Sequence, residues 1–164
     1  MSPQIVSITD EDLTRVVELN AGEVQWTSPM NVNQLGTILS CTCYAKTIKS
    51  GSATAGFLIA MDQRAKYENG NFDWFKNRYE RFCYVDRIVI DIRFAGKGLG
   101  PLFYEDLFAF AQVNDLNNIV CEYNIEPLNE PSMKFHQRMG FAEVGQRTLE
   151  SKTVSMQART ISQS

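Results

Sequence analysis

A chain of 164 residues, 44% apolar and 21% charged, is long enough to bury a proper core and is read as one domain, 1–164. A formal charge of -3 without any dense basic run argues against a nucleic-acid partner. No apolar run nears membrane-spanning length and no charged segment leads into an apolar one at the start, so a cytoplasmic protein without a membrane partner is expected.

Residues 3–8 read as a short strand carrying Ile5 and Val6. Thr9 reads as a helix N-cap, with Asp12 in the capping-box position and Asp10 and Glu11 facing the helix dipole. That helix buries Leu13, Val16 and Val17 and ends near Gly22. Trp26-Thr27-Ser28-Pro29 breaks the chain before a weaker helix around Asn31 to Ser40. Cys41-Thr42-Cys43 reads as small side chains on one strand face. With Cys83, Cys121 and a single histidine, no CxxC pair and no zinc set is present, so no metal and a reduced compartment are expected.

Strands follow at about 43–49 and 54–61 around the turn Lys49-Ser50-Gly51-Ser52. Residues 63–80 then hold Tyr67, Phe72, Trp74, Phe75 and Tyr79 in a connection far longer than two strands need. Such a piece either closes over a bound molecule, with Trp74 and Phe75 touching it, or packs on its own domain or a second subunit.

Tyr84 to Ile90 is dense in β-branched residues and reads as a buried strand. Ala95-Gly96-Lys97-Gly98-Leu99-Gly100 follows as a glycine-rich turn, and Pro101 suits the first turn of a helix. Leu99, Leu102, Phe103, Leu107, Phe110 and Val113 form that helix's apolar stripe. Glycines admit a ligand close to the backbone, while unpaired N–H groups and the helix dipole favour a phosphate or pyrophosphate. The spacing fits neither a P-loop nor Gly-x-Gly-x-x-Gly, because the glycines alternate at 96, 98 and 100.

After a polar turn at 114–118, Ile119 to Asn124 reads as a strand parallel to the one ending at Ile90, with ligands expected beyond the carboxyl ends of the pair. Next comes a helix on which Asn129, Ser132 and His136 share a face, ending at Gly140-Phe141. A last hairpin covers about 141–148 and 152–160.

Gly98-Leu99-Gly100 between strand and helix, with Asn129, Ser132, His136 and Gly140-Phe141 downstream, resembles the GNAT family of N-acetyltransferases over about residues 82–147. The resemblance implies an α/β fold, α+β by some schemes. It has a central mixed, twisted sheet of six to seven strands and about four helices, in the order β-α-α-β-β-β-α-β-α-β-β. It also implies acetyl-CoA as the cofactor. Ile88, Val89 and Ile90 would hold the pantetheine arm, and Gly96, Lys97, Gly98, Leu99, Gly100 and Pro101 the diphosphate. The family's leading Arg or Gln falls on Ala95, which leaves Arg93 or Lys97 as the substitute. Asn129 either bonds the pantetheine arm or caps its helix, Ser132 either touches the coenzyme or suits close packing, and Phe135 lies beside them.

The implied reaction is direct attack of an amine on the thioester in a ternary complex, the amine belonging to a small molecule or a protein terminus, with the small molecule preferred. A non-catalytic acyl-CoA-binding or sensor module is the alternative. His136 stands where most members carry a tyrosine, as acid to the sulfur or as a positioning group. Glu122 and Asp86, on the two parallel strands, are the candidate bases, although Asp86 has Arg87 and Arg81 as alternative partners. Cys121 alternates to the opposite face and is no nucleophile candidate. Glu23, Gln25 and Trp26 are candidates for acceptor contact, with plain core the alternative for Trp26. The acidic balance and the aromatic loop favour a cationic or aromatic amine. A homodimer is common in the family, and the final hairpin is an available edge.

Overall fold

The β-branched and alternating runs become seven strands: β1 (Gln4–Ser7), β2 (Tyr44–Ser50), β3 (Ala53–Asp62), β4 (Phe82–Ile90), β5 (Asn118–Glu126), β6 (Ala142–Leu149) and β7 (Lys152–Thr160). In this computed structural model, which describes residues 2–23 and 26–162, they form one mixed sheet in the order β1-β2-β3-β4-β5-β7-β6. Only β4 and β5 run parallel. Five α-helices accompany them among the described residues: α1 (Leu13–Ala21), α2 (Val32–Leu39), α3 (Gly70–Lys76), α4 (Leu99–Val113) and α5 (Glu130–Arg138). The α/β class and the order of elements are as expected, with one addition. α3 makes five helices instead of about four.

α3 forms because Asn69 caps it, its side chain accepting the N–H of Phe72 at 3.0 Å. Phe72 and Phe75 are fully buried and meet Tyr84 at ring-centroid distances of 5.7 and 5.9 Å. The long aromatic piece therefore packs on its own domain. Phe75 is corrected from substrate contact to core. Trp74 lies over β6, with the Arg78 guanidinium 3.6 Å from its ring centroid. A Cβ on Gly145 would stand 2.7 Å from Cη2 of Trp74. Gly145→Ala is expected to cost about 1–3 kcal/mol by displacing the indole, read as a lower Tm with reduced tryptophan burial.

The sheet is covered on both faces. One apolar cluster gathers Leu58, Phe103, Tyr104, Leu107 and Ile119 under α4, and the other gathers Val16, Leu35, Phe57, Phe72, Phe82 and Met156 under α1, α2 and α3. α4 buries Leu99, Phe103, Tyr104, Leu107 and Ala111, whereas Leu102 and Val113 are 40% and 83% exposed. The expected stripe is thus rotated, because Leu102 and Val113 fall on the far side of a helix with 3.6 residues per turn. The Cys41-Thr42-Cys43 segment precedes β2, which opens at Tyr44, so it is not a strand face. No described helix is long and apolar enough to cross a membrane.

Two irregularities in β4 create the working region. Parallel pairing with β5 stops after Tyr84↔Val120, and the two strands separate beyond it. On the other side, Ile59 faces Arg87 while Ala60 faces Val85, so Asp86 is an extra, unpaired residue. That bulge turns Asp86 and Arg87 toward the α1–α2 connection.

Candidate active site

The separation of β4 from β5 opens a cleft of about 800 Å³. Its floor is Ile88, Val89 and Ile90 of β4, whose β5-facing backbone has no strand partner. One end is the turn before α4. Gly96 and Gly98 both have φ +75°, a conformation that side chains bearing a Cβ rarely adopt. Among the described residues, the N–H groups of 96–100 donate to no other part of the chain. Those of Gly96, Gly98, Leu99 and Gly100, which line the cleft, and the α4 dipole are therefore uncommitted, a ready anion site. Gly100 lets the ring of Phe135 come close, since a Cβ there would lie 3.1 Å from it.

Ala95, Gly96, Gly98, Leu99, Gly100, Pro101, Asn129, Ser132 and Phe135 all line this cleft, as do Ile88, Val89 and Ile90. Arg93 and Lys97 do not. The Arg93 guanidinium is tied to Asp91 at 2.7 Å, and the Lys97 ammonium sits 5.4 Å from the Phe94 ring centroid. The Asn129 side chain accepts the Ser132 N–H at 3.3 Å and so caps α5.

A second cavity, of about 430 Å³, lies on the side of the α1–α2 connection. Thr27 to Met30, Gln34, Ile38, Tyr67 and Asn69 form its walls. The two cavities share Trp26, Thr27, Asn71, Asp86, Arg87, Glu122 and Lys152, so they meet around the β5 carboxylate. Glu122 accepts a hydrogen bond from the buried Tyr84 hydroxyl. Burial pushes its pKa up to about 7, with the charge of Asp86 adding, while Tyr84, Lys152 and Asn71 pull it down. A carboxyl tuned near neutral pH between two cavities can take a proton from one occupant as it meets the other.

Asp86 has a different fate. Its Oδ2 accepts from Nε of Arg87 at 2.6 Å and its Oδ1 from the Tyr67 hydroxyl at 2.5 Å. Arg87 in turn donates through Nη1 to Asn20 Oδ1 and to the Ser28 carbonyl. The pair is a buried strut between β4 and the α1–α2 connection. Arg81 instead bonds the carbonyls of Asn114 and Asp115.

Residues 26–141 match the model of the acetyltransferase (GNAT) family. The chain belongs to that family. No curated protein matches it significantly. Among solved structures, Ard1 from Thermoplasma volcanium shares the GNAT fold at TM-score 0.81 with 11% identity, covering 99% of this chain and 100% of that one. The ribosomal-protein-S18-alanine N-acetyltransferase from Escherichia coli gives 0.73 and 15%, over 99% and 96%. YncA from Salmonella typhimurium, a putative acetyltransferase solved with its cofactor acetyl-CoA, gives 0.74 and 12%, over 100% and 96%.

Within the GNAT frame, His136 is 4% exposed with both ring nitrogens engaged. Nδ1 lies 2.7 Å from the Ser132 carbonyl, which only accepts, so Nδ1 carries the proton. Nε2 then accepts from the Tyr104 hydroxyl at 2.7 Å. Burial also lowers the pKa of the imidazole. In this arrangement His136 has no N–H aimed at the cleft.

Trp26 is half-buried and lines both cavities, Glu23 lines the larger one, and Gln25 lies outside the described residues. Trp74 and Phe75 line neither. Tyr84, Tyr67, Asn71 and Lys152 join the site without having been assigned to it from the sequence. Only Tyr84 carries a local signal, as a polar-tipped ring two residues before Asp86 on the same strand.

Proposed function

We propose that this GNAT chain moves an acetyl group from acetyl-CoA to the amine of a small molecule by direct attack with both substrates bound. Glu122 is the base. The observation that carries this is the Glu122 carboxylate at the junction of the two cavities, with its pKa raised to about 7. The residues present fit the donor: a long cleft, a strand edge with unpaired backbone groups, and uncommitted N–H groups at a helix start. The thioester supplies an electrophilic carbonyl carbon and a thiolate leaving group.

The acceptor enters from the smaller cavity, mostly as an ammonium at neutral pH. Glu122 takes one proton, the freed nitrogen forms the C–N bond, and the C–S bond breaks with its electron pair on sulfur; the second proton, shed by nitrogen as it becomes an amide, goes to that thiolate and gives the free thiol. A thiol of pKa near 8.5 leaves readily as thiolate. His136 therefore serves as a positioning group, holding Tyr104 against the cleft. The strut of Asp86 and Arg87 shapes the acceptor wall. Four cysteines without disulfides suit a reducing cytoplasm, and β6, one of the sheet's two outer strands, is the edge at which two copies would pair.

Thiol release from acetyl-CoA over an amine panel tests the reaction, and calorimetry with coenzyme A tests the cleft. Gly98→Val is expected to weaken coenzyme binding at least tenfold, because a β-branched residue at φ +75° strains the turn and covers its N–H groups. Equal affinity in that variant would overturn the coenzyme site. A binding module without chemistry would take coenzyme A and release no thiol with any amine.

A further inference from the structure

Four charged side chains line the smaller cavity: Asp86, Arg87, Glu122 and Lys152. Asp86 and Arg87 cancel one another at 2.6 Å, and their side chains are 4% and 7% exposed. Glu122 is held by Tyr84 and, as the base for acetyl transfer, faces the reacting amine. Lys152 is unlike the rest. It opens β7 directly after the two-residue turn Glu150-Ser151 and, like the other three, lines both cavities where they join. Among the described residues its ammonium makes no hydrogen bond and no ion pair, although Glu122 feels its charge. A lysine half-buried at a cavity wall without a hydrogen-bonded or salt-bridged partner is an unspent anion site.

We propose that the Lys152 ammonium anchors an anionic group of the acceptor, so that the substrate class is an amine carrying a carboxylate a few bonds from its nitrogen, as in an amino acid. This rests on the acetyl-transfer reading and narrows it. The two charges of such a zwitterion match the wall in pairs, the ammonium toward Glu122 and the carboxylate toward Lys152. Trp26, Pro29, Met30 and Ile38 leave an apolar surface for the remaining side chain. Among the described residues of the smaller cavity a diamine or polyamine finds no second counter-charge, because the Asp86 carboxylate is already occupied by Arg87 and Tyr67. The cationic acceptor suggested by the net charge of -3 gives way to the local charges of the wall.

The test is thiol release from acetyl-CoA with the common amino acids, their amides and the corresponding decarboxylated amines, for the full chain and for Lys152→Gln and Lys152→Glu. The carboxylate-bearing members are expected to have kcat/KM at least tenfold above their amides. Lys152→Gln is expected to lower kcat/KM for the carboxylates tenfold or more, mainly through KM, and for the amides by less than threefold. Lys152→Glu should favour the amide and the plain amine. If the unaltered chain treats carboxylate and amide alike, the anchor is wrong. It is equally wrong if Lys152→Gln weakens all acceptors to the same degree with a common shift of the pH profile, since Lys152 would then act only through Glu122. Thiol release with amines outside this class alone refutes the anchor and keeps acetyl transfer. Release with no amine at all defeats both.

Discussion

Glu122→Gln is expected to lower kcat at pH 7.5 by about 10²–10⁴-fold, the usual range for loss of a general base, with coenzyme A affinity unchanged within twofold. The amide keeps the shape and still accepts from Tyr84, so the variant isolates proton transfer from packing. In the unaltered chain, kcat/KM should rise with pH through about 7, as the carboxyl loses its proton and becomes a base. That limb should vanish in the variant. A fall of less than tenfold, measured by thiol release alongside calorimetry, would remove Glu122 from the mechanism.

The same raised pKa sets a stability consequence with a definite sign. Between about pH 4.5 and 7 the folded protein holds a proton at Glu122 that the unfolded chain has released, so stability falls as pH rises through that window. Above pH 7 the charge stays partly desolvated at a cost on the order of 1–3 kcal/mol. Glu122→Gln should therefore melt several degrees above the unaltered chain at pH 8, with the gap closing below pH 4.5. Lost turnover with gained stability is what a desolvated catalytic carboxyl produces.

Arg87→Met should destabilise the fold by about 3–5 kcal/mol, because it leaves the Asp86 carboxylate buried without its counter-charge. It also frees Asn20 Oδ1 and the Ser28 carbonyl, two of the bonds that tie the α1–α2 connection to β4. Denaturant unfolding should show the loss, and Asp86→Asn combined with Arg87→Met should recover much of it. If the double variant is no more stable than the single one, the carboxylate is not what makes the loss large. Acceptor KM should rise in both, since the strut shapes the acceptor wall, while coenzyme affinity should hold.

Much of this was legible where the signal is local. The strand from Tyr84 to Ile90, the turn at Gly96 to Gly100 and the helix after it announce themselves within thirty residues, and the cap and the Gly140-Phe141 stop frame α5. Glu122 and Asp86 could be named as the carboxylates beside the opening because they lie on neighbouring parallel strands. Which of them is available could not. Asp86 is taken by Tyr67 from 19 residues upstream and by its own neighbour Arg87. The failure at Phe75 has the same root: an aromatic-rich connection looks alike as lid or as packing until a capped helix turns its rings onto Tyr84.

By itself the amino-acid order determined what depends on near neighbours: strand and helix periods, glycine φ values, caps, and the uncommitted N–H groups that begin α4. Only the tertiary structure decided which proton each buried group keeps. His136 donates from Nδ1 and accepts at Nε2 because Tyr104, 32 residues away, reaches it. Glu122 is tuned because β4, α3 and β7 bring Tyr84, Asn71 and Lys152 around it. Protonation answers to burial and to charges within a few ångströms, and those distances exist only once the chain is folded.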